Sequence, residues 1–500
     1  MRSTGKSLAI FLLVSVLAGC SSPFMAGVRT PTPAVTATPA PSPIATPDPV
    51  PDGFVEYSSQ SGDTLQVVAA HFGVEQSAIQ FADETDEIPL LLAPGTKLYI
   101  PNVLDVITPD TLLIPDSDVV FSPSASDLDV TAFVTEKNGE LADYTELMTR
   151  GTTPGAEILY QLAVEHSVNP RILLTLLEFS SGWVSGYPQT TEANLYPYGF
   201  INTVKGGLYK QLGLVIRQLE IGYYGWRDGT LTELTFNDGS TLRLAPNLNA
   251  GTVAVMTYLA SISTPDVWQA ALYGERSVSQ VHEDLFGDAW QRAQTVEPLF
   301  PADASQPALN LPFPDGQVWN YTCGPHTAWG EDGPLAALDF APPLDRTGCG
   351  TSIKWATAAA SGLVVRTGTG VVVLDLDGDG NEQTGWVLLY MHISGTDKVQ
   401  VGDYVLKDER IGHPSCAGGS SSGIHIHIAR KYNGEWVLAE GGLPFVLSGY
   451  QAFKKVKFCE GTLVNGDVVV QAYPWGNYLT MISRLEATRE PPPGDLSIDE

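Results

Sequence analysis

Near its C-terminal end the chain reads Gly423-Ile424-His425-Ile426-His427-Ile428. Strict alternation of apolar and polar residues fits a half-buried β-strand and no helix, because successive side chains on a strand point to opposite faces. The isoleucines of such a strand enter a core, and His425 and His427 share the other face. This part of the chain must therefore build a sheet that carries two imidazoles side by side on a rigid support. Only 8 histidines occur in 500 residues. A pair at this spacing points to metal binding or catalysis ahead of a polar strand face that happens to hold two histidines.

Beyond residue 301 the texture is of short β-branched and aromatic runs split by Gly, Asn-Gly and Asp-Gly turns, which reads as mostly β. Partners for the histidine pair lie there. His326 stands in Cys323-Gly324-Pro325-His326, Asp339 follows in Ala337-Leu338-Asp339-Phe340, and His392 stands in Leu389-Tyr390-Met391-His392-Ile393. The ordered set His-x12-Asp, Tyr-x-His and His-x-His resembles the lysostaphin and beta-lytic zinc metallopeptidases. The long first gap is closer to the beta-lytic branch. Ala359, Ser361, Gly362, Val364, Val401-Gly402-Asp403, Val405 and Ile411-Gly412 match the family's frame.

The resemblance implies a metallopeptidase domain over residues 306–482 with one catalytic Zn2+ held by His326, Asp339 and His427. It implies His425 as general base, with His392 assisting it or stabilising the oxyanion. The substrate implied is a peptide cross-link of peptidoglycan. The alternative is a non-catalytic peptidoglycan-binding scaffold, or an activator of another wall hydrolase. Such a homologue would have lost ligands, and all five positions are filled. His413, in Gly412-His413-Pro414, has no place in this scheme and reads as structural.

Asp375-Leu376-Asp377-Gly378-Asp379-Gly380 has the opening carboxylate spacing of a calcium loop, but Trp386 stands where the twelfth-position glutamate belongs. Residues 371–374 and 386–390 read as paired strands, so an acidic hairpin tip is the stronger reading and Ca2+ the lesser one.

Five hundred residues exceed one core and call for several domains. The balance of 27 Lys+Arg against 56 Asp+Glu, net −29, repels nucleic acid, and no basic stripe reverses it. A short basic start and the apolar run at 7–18 read as a signal peptide over residues 1–19. Leu17-Ala18-Gly19-Cys20 resembles the lipobox of bacterial lipoprotein precursors, which implies acylation of Cys20 and a membrane tether without a spanning helix. Residues 20–53, rich in Pro and Thr, read as an extended spacer reaching up to roughly 90 Å at ~3 Å per residue. Cys323, Cys349, Cys416 and Cys459 remain, an even number that suits two disulfides in any of three pairings.

Residues 54–102 read as strand, two short helices and strand, the second helix around 78–83. With Ser61-Gly62-Asp63-Thr64-Leu65 and Gly95-Thr96-Lys97-Leu98-Tyr99-Ile100-Pro101 flanking, the unit resembles a LysM domain. That resemblance implies binding of N-acetylglucosamine-containing glycan at an edge formed by Gly62, Asp63, Thr64 and the segment 88–92, including Ile88 and Leu91. Residues 103–140 read as a connecting segment with no assigned structure.

Residues 141–300 show helical periodicity: Ala156, Leu159, Leu162, Ala163 and His166 share a face, and Asn169-Pro170 opens a further helix. Val168 to Leu174 followed by Ser181-Gly182-Trp183 resembles the opening of lysozyme-like lytic transglycosylases. In that family a glutamate directly precedes Ser-Gly. Here Ser180 and Ser181 stand before Gly182, and Glu178 sits two residues too early, on the opposite helix face. The module reads as having no glycosidase chemistry.

The sequence thus predicts a multidomain α+β protein: a small βααβ unit, a central mostly α-helical module, a C-terminal mostly antiparallel β domain and a disordered tail at 483–500. It predicts an extracytoplasmic place, lipid-anchored and facing the cell wall.

Overall fold

The computed structural model describes residues 50–83, 87–344 and 348–484. Cys20, the signal peptide, nearly all of the spacer and the tail beyond 484 lie outside the described residues. Among those described, no helix is long and apolar enough to cross a membrane.

The small unit pairs Phe54–Ser58 with Lys97–Pro101, antiparallel, from Phe54 opposite Pro101 to Ser58 opposite Lys97. Between them runs the helix Leu65–Phe72, whose N-cap Thr64 accepts a hydrogen bond from Val67 N and which ends on left-handed Gly73. Its core is Tyr57, Leu65, Val68, Phe72, Ile79, Leu98 and Ile100. The expected second helix is replaced by a single 3-10 turn, Gln76–Ala78, and a two-residue strand, Gln80–Phe81, laid against Tyr99 and Leu98. Ile79 is buried, Gln80 exposed and Phe81 half-buried. That inside-outside-inside alternation suits a strand.

The helical body is built on Ala250–Ile262, buried around its whole circumference from Ala250 to Ala260. Leu208–Arg227 crosses it closely at Gly222, where a Cβ would lie 2.7 Å from Ala254 Cα, so only glycine permits this approach. Asn169 caps Pro170–Ser181, as its sequence suggests. Within the stretch 103–140, Leu113, Ile114, Val119, Val120, Phe121, Val130 and Val134 are buried in this same core. Its anchors are polar: Leu113 N donates to Thr252 Oγ1 at 2.8 Å, and Asp116 accepts from Gly251 N at 2.7 Å. Asp116 therefore supplies negative charge at the start of the central helix.

The C-terminal body is a nine-stranded antiparallel sheet. Its path runs Tyr404–Val405, Gly362–Gly368, Val371–Asp375, Trp386–Met391, Ile426–Tyr432, Leu335–Ala341, Trp319–Thr327 and Met481–Ile482, with Glu435–Trp436 paired to Ile426–Tyr432. Side chains alternate between two cores. Ile426, Ile428, Leu338 and Phe340 pack into one. Ala429, Met391, Leu389, Ala337 and Trp436 join the core of the helical body. Two disulfides select one of the three pairings, Cys323–Cys459 and Cys349–Cys416.

Candidate metal centre

Register creates the site. His427 lies directly opposite Asp339 on one neighbouring strand and opposite Met391 on the other. Cross-strand partners project from the same face, so the imidazole and the carboxylate meet. Asp339 is also opposite Cys323, and an irregular register between Cys323 and His326 carries His326 over the same carboxylate. His392 follows the strand Trp386–Met391 with a φ of 63°, unusual for a residue with a Cβ, and its ring centroid lies 4.3 Å from that of His425.

Asp339 is the hub. Its Oδ1 is 2.8 Å from His326 Nε2 and 3.3 Å from His427 Nδ1, while Oδ2 is 3.4 Å from His425 Nε2. Backbone carbonyls fix the rings from outside: Ala328 O is 2.9 Å from His427 Nε2, Gly423 O 2.8 Å from His425 Nδ1, and Ala417 O 3.1 Å from His392 Nδ1. A carbonyl only accepts, so each of those ring nitrogens carries the hydrogen when the imidazole is neutral. The inward nitrogens of His427 and His425 are then lone pairs aimed at a carboxylate. Acceptor facing acceptor at this range requires a proton or a cation between them.

The electrostatics agree. Burial alone would raise the Asp339 carboxyl, but His326 and His425 beside it hold it well below the usual carboxylate range. Burial lowers His427, and burial together with the neighbouring His425 and His427 pushes His392 down to about 4. An ionised carboxylate beside imidazoles, with His427 and His392 held toward their neutral forms, is a donor set that suits a divalent zinc-like ion. Cys323, His326 and Asp339 donor atoms lie within 4.8 Å of one another, but Cys323 is bonded to Cys459 and offers no thiolate. His413 stands apart, its Nδ1 2.7 Å from Lys354 O and its ring against Trp355.

The tip between the strands Trp319–Thr327 and Leu335–Ala341 is clasped by the helical body. Gly330, at φ +69, leaves room for His166, whose Cε1 would be 2.9 Å from a Cβ there, and Gly333 approaches Glu220. Asp332 pairs with Arg217, and Trp329 packs on the helical core. Ala328, whose carbonyl holds His427, sits at the base of this tip.

Of the expected glycan-edge residues, Gly62, Thr64, Ile88 and Leu91 line one cavity of about 370 Å3 together with Trp436, Glu440 and Lys454 of the C-terminal body. Asp63 instead turns inward, accepting from Tyr57 Oη at 2.6 Å and Gln60 N at 2.7 Å, and its burial pushes the carboxyl up to about 6. Glu178 is tied down by Val184 N at 2.9 Å and Ser185 N at 3.0 Å. Asp375, Asp377 and Asp379 occupy the tip between the paired strands Val371–Asp375 and Trp386–Met391, as an acidic hairpin tip should.

Sequence reasoning did not find the three carbonyls, since any residue type supplies one. It also passed over Phe458, whose ring centroid is 6.2 Å from that of His326. The only signal was an aromatic residue beside Cys459 in a lysine-rich run.

A sheet face presenting a carboxylate among imidazoles is a donor set of the kind that binds a divalent metal, and the chain is similar to several known proteins. Residues 112–300 match the family model described as the LasA N-terminal domain. That match takes in the helical body, for which the sequence alone suggests a lytic transglycosylase-like module, together with most of the segment before it. Over 319 residues the chain is 26% identical to Protease LasA of Pseudomonas aeruginosa, covering 60% of this chain and 72% of that protein. Among solved structures it is similar to pseudoalterin, a deep-sea M23 metalloprotease, at 22% identity over 34% of this chain and 97% of that one, with a TM-score of 0.28. The catalytic domain of lysostaphin from Staphylococcus simulans is 26% identical over 24% of this chain and 87% of that one, with a TM-score of 0.18. The chain is homologous to the LasA-like metallopeptidases.

Proposed function

We propose that this protein is a zinc-dependent endopeptidase that hydrolyses peptide cross-links of peptidoglycan outside the cell membrane. The observation that carries the reading is Asp339, ionised and buried, with inward nitrogens of His326, His425 and His427 within 3.4 Å of its oxygens. In this reading His326, Asp339 and His427 hold the zinc. When bound, zinc supplies a Lewis acid that polarises the scissile carbonyl and lowers the pKa of water.

The protein's own groups do the rest. His425 Nε2, with its Nδ1–H fixed on Gly423 O, is the acceptor for the nucleophile's proton. His392, its ring centroid 4.3 Å from that of His425, assists it as a proton acceptor through Nε2, and stabilises the developing oxyanion only in its protonated form, when Nε2 carries a hydrogen. The small N-terminal unit holds the enzyme on glycan through Gly62, Thr64, Ile88 and Leu91, while Asp63 braces the turn. Acyl chains on Cys20 tether the protein to the membrane, facing the wall.

The test is mass spectrometry of fragments released from a panel of peptidoglycans by wild type and by His427→Ala, with zinc content measured on both. New peptide ends from the wild type alone are expected. A preparation that binds one zinc per chain and releases no ends from any peptidoglycan overturns the enzyme reading and leaves a wall-binding scaffold.

A further inference from the structure

The segment Lys454-Lys455-Val456-Lys457-Phe458-Cys459-Glu460 runs from the cavity between the bodies to the rim of the metal centre. Lys454 lines that cavity and pairs with Asp228 at 2.6 Å. Five residues on, Cys459 is bonded to Cys323 on the strand that carries His326. That bond fixes the loop beside the site whatever its other contacts. Phe458, 70% exposed, sets its ring edge to His326, and Val456 is fully exposed. Lys455 is exposed too, and Lys457 pairs with Glu460 at 3.6 Å on the surface. In a chain with 27 basic residues and a net charge of −29, Lys455 and Lys457 beside Phe458, with Lys454 already paired to Asp228, form a small basic stretch next to the site. A large exposed aromatic beside them is unexplained by folding.

We propose that this loop is a substrate-binding rim that takes an acidic peptide strand, with Phe458 packing on the strand next to the metal centre and Lys455 and Lys457 pairing with its carboxylates. The inference rests on the peptidase reading for its substrate but not for its test. Phe458 supplies apolar contact at low entropic cost, and the lysines supply a salt-screened attraction that speeds encounter and selects charge. The chain's net charge of −29 disfavours such a strand in general, so a basic rim beside the site biases where it lands.

The experiment compares the full zinc-loaded protein with Lys455→Gln/Lys457→Gln and with Phe458→Ala, using fluorescent peptides of equal length that carry either two glutamates or two glutamines. Binding is read by anisotropy at low and high salt, and cleavage is read separately. The lysine variant should weaken binding of the acidic peptide by roughly tenfold at low salt, with little change at high salt or for the neutral peptide. Phe458→Ala should weaken both peptides alike. Zinc content and kcat should hold while KM moves. Equal loss on acidic and neutral peptides in the lysine variant, or no loss on either, overturns the proposal. So does loss of binding to anionic lipid vesicles with peptide binding intact, which would make the loop a membrane contact. If peptides bind as expected and none is cleaved, the rim stands and the peptidase reading fails.

Discussion

Arg227 is the most informative single residue for the integrity of the molecule, because its guanidinium joins all three bodies. It donates to Ser61 O of the small unit, pairs with Asp116 at 2.8 Å in the helical body, and meets Glu435 at 3.0 Å in the C-terminal body. It also donates to Tyr223 Oη at 3.2 Å. The side chains of Arg227, Asp116 and Glu435 are 8%, 7% and 3% exposed. Arg227→Met keeps the aliphatic length and removes the charge, which leaves two buried carboxylates without their cation. Breaking a buried ion pair from one side costs about 3–5 kcal/mol. Asp116 keeps its bonds from Asn249 Nδ2 and Gly251 N at 2.7 Å each, while Glu435 keeps one, from Tyr223 Oη at 2.8 Å, so the larger share of the loss falls on Glu435.

Burial already pushes the Glu435 carboxyl up to about 7 against the pull of Arg227. Without that pull it rises further and takes up a proton near neutrality, so the deficit should shrink on acidification and grow toward pH 9. Urea denaturation at several pH values measures it, and Arg227→Met/Glu435→Gln completes a double-mutant cycle. The double variant should recover part of the loss, with a coupling of about 1–3 kcal/mol. A loss below ~1 kcal/mol for Arg227→Met, or losses that simply add in the cycle, would refute the view that this charge pins the bodies together.

Four other outcomes follow from the geometry. His427→Ala should lose zinc and turnover together, while His425→Ala should keep zinc and lose turnover; equal zinc loss in both would put His425 among the ligands. Asp63, pushed from 3.8 up to about 6 by burial, holds its proton more tightly folded than unfolded, so the stability it contributes is lost as pH rises from about 4 to about 6. At about 1.4 kcal/mol per unit, Asp63→Asn should be more stable than wild type above that window by up to ~3 kcal/mol and equal below it, read by thermal and urea melts. Replacing both Cys323 and Cys459 with serine opens a loop of sequence separation 136 and should cost about 4–5 kcal/mol in denaturation, with zinc retained because neither sulfur is a ligand. Gly330→Ala adds a Cβ 2.9 Å from His166 Cε1 at a φ of +69, so a loss of roughly 1–3 kcal/mol in chemical denaturation is expected.

What the sequence disclosed about this site was its local part. Alternation in residues 423–428 is a local pattern and can be read from that stretch alone, although the strand itself begins at Ile426 and His425 precedes it in an isolated bridge to Ser415. That His427 faces Asp339 across a ladder 88 positions apart depends on register, which no local pattern encodes. Only the resemblance joined the two in advance. The same limit hid the segment around Leu113 to Gly139. Its attachment to the helical body runs through a backbone N–H on Thr252, a carboxylate at a helix start and apolar residues at irregular spacing, Leu113, Ile114, Val119, Val120 and Phe121, which leave no regular hydrophobic period to detect.

The second helix of the small unit failed in the other direction. Three residues of alternation at Ile79-Gln80-Phe81 are too short to outvote a helical reading until Lys97–Pro101 arrives to pair with them. The glycines of the ligand hairpin show the limit most plainly. Gly330 and Gly333 lie in the turn between Trp319–Thr327 and Leu335–Ala341, Gly330 at a φ of 69°. Yet Gly330 lies against His166 and Gly333 against Glu220, both from another body, so the constraint on those positions comes from the partner surface as well as from the turn. The metal centre is therefore legible as chemistry on one strand. Its geometry belongs to the assembly, because the carbonyl that fixes His427 hangs from a tip whose position the helical body sets.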